Sequence, residues 1–181
     1  MAEHRAGSFL DPADDPRHQG ATPGGEKEIL TEYLRHHRQT LELKCAGLDA
    51  EQLARRAVPP STMSLLGLVR HLAEVERAWF RRVLSERPDT TRIYRTPDEP
   101  DLDWDGAVAD SALVEEAWAN LRGEQDFGTA YLAAADLDSR VPFEDGTISA
   151  REVIVHLIEE YARHNGHADL LRECLDGRVG E

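Results

Sequence analysis

Four side chains in this 181-residue chain have the types and spacing to do chemistry together: His71, Glu160, His164 and His167. Glu160 and His164 stand four residues apart in the run Glu159-Glu160-Tyr161-Ala162-Arg163-His164-Asn165-Gly166-His167. At about 100° per residue, this run continues an apolar stripe of Val153, Leu157, Glu160, His164, His167 and Leu171. A carboxylate and two imidazoles therefore take positions where a core-forming helix would carry Leu or Val. Burying such groups is costly unless something pairs with them, and a metal ion is one of the few partners that satisfies all three. The i,i+4 pair lies on one helical face and can converge on a single ion. His71 lies at the edge of a second stripe, Leu65, Leu68, Leu72, Val75 and Trp79, and would bring a third ligand from a facing helix. Two histidines and a glutamate form a catalytic zinc set with one position open, whereas structural zinc sites are closed and rich in cysteine. The chemistry implied is Lewis-acid activation of whatever fills that position.

His167, one turn beyond His164, is the catalytic candidate. It is a fourth ligand, a hydrogen-bond partner behind the ligands, or an acid/base on the substrate side, and the second role is preferred. Each group also has a plainer reading. A lone His71 at a stripe edge is commonly a hydrogen-bonded core histidine, and Glu-x₃-His pairs occur on solvated faces. The replacement of three apolar positions in one stripe is what favours a metal. His156, on the flank, reads as a packing or hydrogen-bonding residue. Glu74, Glu76, Glu159, Asp169 and Glu173 read as solvated acids.

The elements that position these groups are predicted as helices. Residues 1–24, punctuated by Gly and Pro and poor in aliphatics, read as a disordered tail, and residues 25–181 as one domain. Helical periodicity covers 26–45, with Ile29, Leu30, Tyr33, Leu34, Leu41 and Leu43 as its apolar spacing, and a short piece follows at 51–56. After Pro59-Pro60, Ser61, Thr62 or Ser64 caps a second long helix that runs to 84. Residues 86–110, with three prolines and the acids Asp98, Glu99, Asp101, Asp103 and Asp105, form a long loop of the kind that is either functional or mobile. Trp104 within it either covers a pocket or anchors the loop. A third long helix spans 111–135, weakened by Gly123 and Gly128. Val141-Pro142-Phe143 makes an extended link and Asp145-Gly146 a turn. Ser149 and Glu152 then form a capping box opening a last helix that ends at Gly177. Four long amphipathic segments without convincing strand alternation predict an all-α, up-down four-helix bundle.

Composition excludes several function classes. Lys and Arg number 21 against 35 Asp and Glu, a net charge of −14. Such a chain repels phosphate backbones, so nucleic acid is not an expected partner. No apolar run approaches the roughly 18 residues of a membrane span, and no signal peptide is visible. A cytoplasmic protein with no membrane partner is expected. Lysine is confined to Lys27 and Lys44, the other basic residues being arginine, a bias that suggests a GC-rich genome. Cys45 and Cys174 belong to no CxxC pair and read as small packing residues in a reducing compartment.

The stretch Ser61-Thr62-Met63-Ser64-Leu65-Leu66-Gly67-Leu68-Val69-Arg70-His71-Leu72-Ala73-Glu74-Val75-Glu76, closing on Trp79-Phe80, resembles the DinB-like superfamily of metal-binding four-helix bundles. It looks most like the actinobacterial branch of mycothiol-dependent maleylpyruvate isomerases and mycothiol S-transferases. The stretch from Glu160 to Glu173 is similar to that family's carboxyl-terminal pattern, in which a ligand is followed three residues on by His-x-Gly. The resemblance covers the chain from near residue 26 onward. Carried over by position, it implies His71, Glu160 and His164 as the metal ligands. Many relatives have histidine at the position of Glu160, and the isomerase type has glutamate. Many have Gln at the position of His167. With no clear counterpart of the isomerase's extra domain, the resemblance favours a stand-alone transferase. It implies a divalent metal, zinc first and nickel second, with mycothiol as thiol co-substrate and a small electrophile as acceptor. Two rivals stand beside it: a metal-binding or dimerising bundle with a stress role and no turnover, and a di-iron carboxylate bundle. The last needs inward carboxylates on several helices, and only one such residue is predicted. Whether the chain forms a homodimer is open.

Overall fold

Three of the four long helices begin at a side chain that accepts their first free amides: Ser64, Asp110 and Ser149. In the computed structural model, which describes residues 15–19 and 24–180, α1 spans Glu26–Cys45, α2 Ala50–Ala54 and α3 Leu65–Arg77. A π-helical segment, Ala78–Leu84, continues α3. A short α4, Leu102–Asp105, precedes α5, Ser111–Ala134, and α6, Ala150–Asp176. The capping box of Ser149 and Glu152 is present in both directions, and Gly177 stops α6 at φ 77, a left-handed conformation open to glycine.

The four long helices form the expected bundle, with α1 packed on α6 and α3 packed on both α5 and α6. Its centre is filled by Leu34 and Leu41, Leu65, Leu68 and Leu72, Ala117 and Leu121, and Val153 and Leu157, all at most 1% exposed. Ile29 and Tyr33, by contrast, face solvent. Among the described residues, no helix is long and apolar enough to cross a membrane.

Four details differ from the sequence expectation. The extended link before α6 is an antiparallel hairpin, β1 Arg140–Phe143 with β2 Gly146–Ser149, whose four-residue strands are too short for alternation to register. Residues 15–19, placed in the tail, make a 3-10 turn held by an Asp15–Arg17 ion pair and by Arg17 Nη1 donating to Thr40 Oγ1 at 3.2 Å. The remaining tail positions lie outside the described residues. The buried line of α6 runs Val153, Leu157, Tyr161, His164, Ala168 and Leu171, so Glu160 and His167 sit on its shoulder. Finally, Glu74 and Glu76 are buried, at 3% and 0% exposure, because α3 is enclosed by more than one neighbour.

Glu76 is the hub of a polar network that reaches all four long helices. It accepts from Arg38 Nε and Nη2 of α1 at 2.8 and 2.7 Å, and from Tyr161 Oη of α6 at 2.9 Å. Gln125 of α5 in turn donates to Tyr161 Oη at 3.0 Å. Burial, then the neighbouring Glu76 charge, holds the Tyr161 phenol well above its ordinary pKa, so it stays a donor.

Gly128 explains itself by contact. A Cβ there would lie 2.4 Å from the ring of fully buried Phe80, while one at Gly123 on the same helix would meet nothing within 4 Å. Gly128→Ala is therefore expected to destabilise the fold by about 1–3 kcal/mol through overpacking. Gly123→Ala should stabilise it by about 0.5–1 kcal/mol through helix propensity. Urea unfolding midpoints that move together for the two variants would contradict this close approach.

Candidate metal centre

His71 points from α3 toward Glu160 and His164 on α6, and ligand atoms of the three all lie within 4.8 Å of one another. His71 Nε2 is 4.0 Å and His164 Nε2 3.3 Å from Glu160 Oε2. No other grouping of three or more His, Cys, Asp or Glu with such convergence occurs among the described residues. The predicted ligand residues are thus brought together, two from one helix and one from its neighbour.

The other ring nitrogen of each histidine is also engaged. His71 Nδ1 is 2.9 Å from Asp103 Oδ2, and with a carboxylate there the nitrogen carries the proton and donates. That leaves Nε2 of His71 with its lone pair toward Glu160 and His164. His164 Nδ1 is 3.3 Å from His167 Nδ1. When the His164 nitrogen is the donor in that pair, its Nε2 is also free to ligate. This pattern of carboxylate or imidazole behind a ligating imidazole is how metal sites fix tautomer and ring orientation. His167 thus stands on the Nδ1 side of His164.

Burial, followed by the charges of His71, His167 and Arg163, pushes the His164 imidazole down to about 3, so it is neutral at ordinary pH. A ligating imidazole must be neutral, and so the donor set fits a divalent cation. The same shift has a stability consequence. Because the folded-state pKa lies below the ordinary 6.5, the unfolded chain binds the extra proton, and stability is present above pH 6.5 and lost below it. His37, lowered by burial and by His36, acts in the same direction. The metal-free protein should therefore show a melting temperature that falls between pH 6.5 and about 4.5, above the range in which ordinary carboxylates protonate. In His164→Gln that fall should be shallower, and an unchanged slope would remove His164 as its source.

Asp103 is a residue that the sequence leaves undistinguished among the loop's acids, whereas Trp104 is the predicted pocket cover or loop anchor. Both come from α4, in the long loop, and reach the site because Arg70 holds that turn. Its Nε donates to Asp103 O at 2.9 Å and its Nη2 to Leu102 O at 2.8 Å. Trp104 stacks on His71 with ring centroids 4.6 Å apart, so it both covers the site and anchors the loop. The approach is possible because Gly67 has no side chain: a Cβ there would lie 3.0 Å from the Trp104 ring. His156, expected to pack, does so against Trp79 at 4.7 Å, and its Nε2 also lies 3.5 Å from Glu160 Oε1. Tyr161 belongs to the buried Glu76 network and not to the site. Asp169, expected to be solvated, is ion-paired with Lys44 at 2.7 Å. Neither cysteine is among the grouped ligands: Cys174 is exposed, and burial pushes the Cys45 thiol up to about 12.

A model of the mycothiol S-transferase family matches residues 29–177, from α1 to the glycine that ends α6. The chain belongs to that family. The match contains His71, Asp103, Glu160, His164 and His167, and membership in a mycothiol S-transferase family makes a small thiol the expected substrate class. Among solved structures, that of a conserved protein from Enterococcus faecalis is similar, with a TM-score of 0.58 and 17% identity over 87% of this chain and 100% of that one. At that identity the likeness concerns the fold alone. No curated protein matches the chain.

Proposed function

We propose that this member of the mycothiol S-transferase family is a metal-dependent transferase that joins a low-molecular-weight thiol, mycothiol, to a small electrophile. The observation that carries the reading is the convergence of His71, Glu160 and His164 within 4.8 Å beside a cavity. A divalent ion held there, zinc first and nickel second, supplies Lewis acidity that favours the thiolate over the thiol near neutral pH.

The chain's own residues do the rest. His71 and His164 present neutral nitrogens, and Glu160 contributes one negative charge. Asp103 keeps His71 in the ligating tautomer, and His167 supports His164 from behind. Trp104, stacked on His71, shields that edge from water and strengthens electrostatic interactions inside the site. The thiol gives its proton to solvent, and its sulfur then attacks the electrophilic carbon held in the adjoining cavity. The carbon–sulfur bond forms as the carbon's bond to its leaving group, halide in a haloarene, breaks and the leaving group departs with the electron pair. The product is a thioether.

The test is direct. Zinc-loaded protein, mycothiol and a chromogenic haloarene should form conjugate at a rate proportional to protein concentration. Chelation should abolish that rate and added zinc should restore it. A folded, metal-loaded protein that accelerates no reaction with mycothiol or any other small thiol would leave only a metal-binding bundle.

A further inference from the structure

The candidate metal centre forms one wall of a cavity of about 240 Å³, with His71 and Glu160 at that wall and Trp79, Phe143, Arg92 and Arg95 among the other lining residues. The volume falls below the roughly 300–1,000 Å³ of pockets for drug-sized ligands, so it suits a small electrophile and not the larger thiol. Trp79 belongs to the π-helical continuation of α3, a distortion often found at functional sites, and its ring lies 5.3 Å from that of Phe143. These two rings give the cavity an apolar side.

Among the described residues, the two arginines belong to the smaller group of this chain's arginines that stand outside its ion pairs. With acids in large excess, arginines such as Arg38, Arg77, Arg81 and Arg151 are paired with carboxylates. Arg92 and Arg95 have no carboxylate partner among the described residues, and both line the same cavity. Arg95 is also held in place. Buried Glu74 accepts from the backbone amides of Tyr94 and Arg95, and Arg95 Nε donates to Pro100 O at 2.5 Å. Tyr94 lies beneath Arg70, 3.9 Å from guanidinium to ring, and Arg70 is the residue that fixes Asp103 behind His71. The loop bearing the arginines and the turn supporting the metal ligand therefore share one anchor. The two carboxylates in the cavity wall are engaged elsewhere, Glu74 by those amides and Glu160 by His156 and His164.

We infer that this cavity selects electrophiles that carry a carboxylate, with the anionic end on Arg92 and Arg95 and the apolar body against Trp79 and Phe143. The reactive carbon then lies toward the metal wall. Arginine suits this task because its planar fork meets a carboxylate with two parallel hydrogen bonds. The inference rests on the transferase reading for the substrate's fate, but its binding test does not.

The test is calorimetric titration of the full-length protein, zinc-loaded and metal-free, with 3-phenylpropionate and with the matched uncharged 3-phenylpropionamide. The acid should bind about tenfold tighter or better in both forms, the scale of charge-assisted hydrogen bonds. In the Arg92→Gln/Arg95→Gln double variant that preference should fall to near unity while zinc content is unchanged. Lysine at both positions should restore part of it. Equal affinities for acid and amide, no binding of either, or a preference that survives the double substitution would overturn the inference. So would a preference seen only with zinc present, since the metal would then be the anion's partner. If the acid preference holds but no thiol conjugate ever forms, the transferase reading fails and the anion subsite stands.

Discussion

His164→Ala is expected to yield a folded protein without its metal. Wild type loaded with zinc should carry about one ion per chain, the stoichiometry of a three-ligand catalytic site. The variant should carry essentially none after desalting and should form conjugate only at the uncatalysed rate. Two protein ligands remain in it, but the lost imidazole is the most buried of the set, at 8% exposure, and His167 beside it is not among the converging ligands. Asp103→Asn separates ligation from orientation. It retains an acceptor for His71 Nδ1 but removes the charge, so metal affinity should fall by about 10–100-fold without vanishing. Mass spectrometry for zinc content and competition with a chelating dye measure the two effects. Full occupancy in His164→Ala would remove the site from consideration, and unaltered affinity in Asp103→Asn would reduce Asp103 to a loop anchor.

The second large effect concerns the fold. Glu76→Ala should cost about 3–5 kcal/mol, since it leaves the Arg38 guanidinium, 11% exposed, without its counter-ion. Burial disfavours the Arg38 charge, and Glu76 more than offsets this, so its pKa lies above the ordinary value. Tyr161→Phe removes a single hydrogen bond of the same network and should cost only about 0.5–1.5 kcal/mol. The double variant Arg38→Met/Glu76→Leu removes both charges and should recover most of the loss, as buried ion pairs replaced by apolar groups often do. Denaturant unfolding gives all three values. If Glu76→Ala cost less than about 1 kcal/mol, the pair would be behaving as a surface salt bridge.

Local signals carried the helix ends into the sequence reading. Ser149 with Glu152, and Gly177, act within one turn of the backbone they satisfy, so their spacing alone reveals them. Glu160 and His164 were legible for the same reason, and His71 through its place at the edge of the second helix's apolar stripe, to which the resemblance to a known motif added. Asp103 was not, because the five acids clustered between residues 98 and 105 look alike until the loop folds back over α3. What singles out Asp103 is the pair of bonds from Arg70 to the carbonyls of residues 102 and 103, a contact across more than thirty positions of sequence. Glu74 and Glu76 were misread because periodicity identifies one buried stripe per helix, and α3 has neighbours on more than one side. The π-helical segment at Ala78–Leu84 has no distinctive composition, although it determines where Trp79 stands.

On the transferase reading proposed above, the protein works among reagents that alkylate thiols, and the placement of its two cysteines bears on how long it would last. Cys45 is sealed in the core as an unreactive thiol. Cys174, the exposed one, follows His164 by ten positions on α6, about 15 Å along the helix axis at the usual rise. On that reading, an electrophile that alkylates a cysteine would reach exposed Cys174 and not buried Cys45, at a distance from the proposed metal centre. Such self-modification would mark the molecule without disarming it, so turnover could continue on protein already scarred by its substrate.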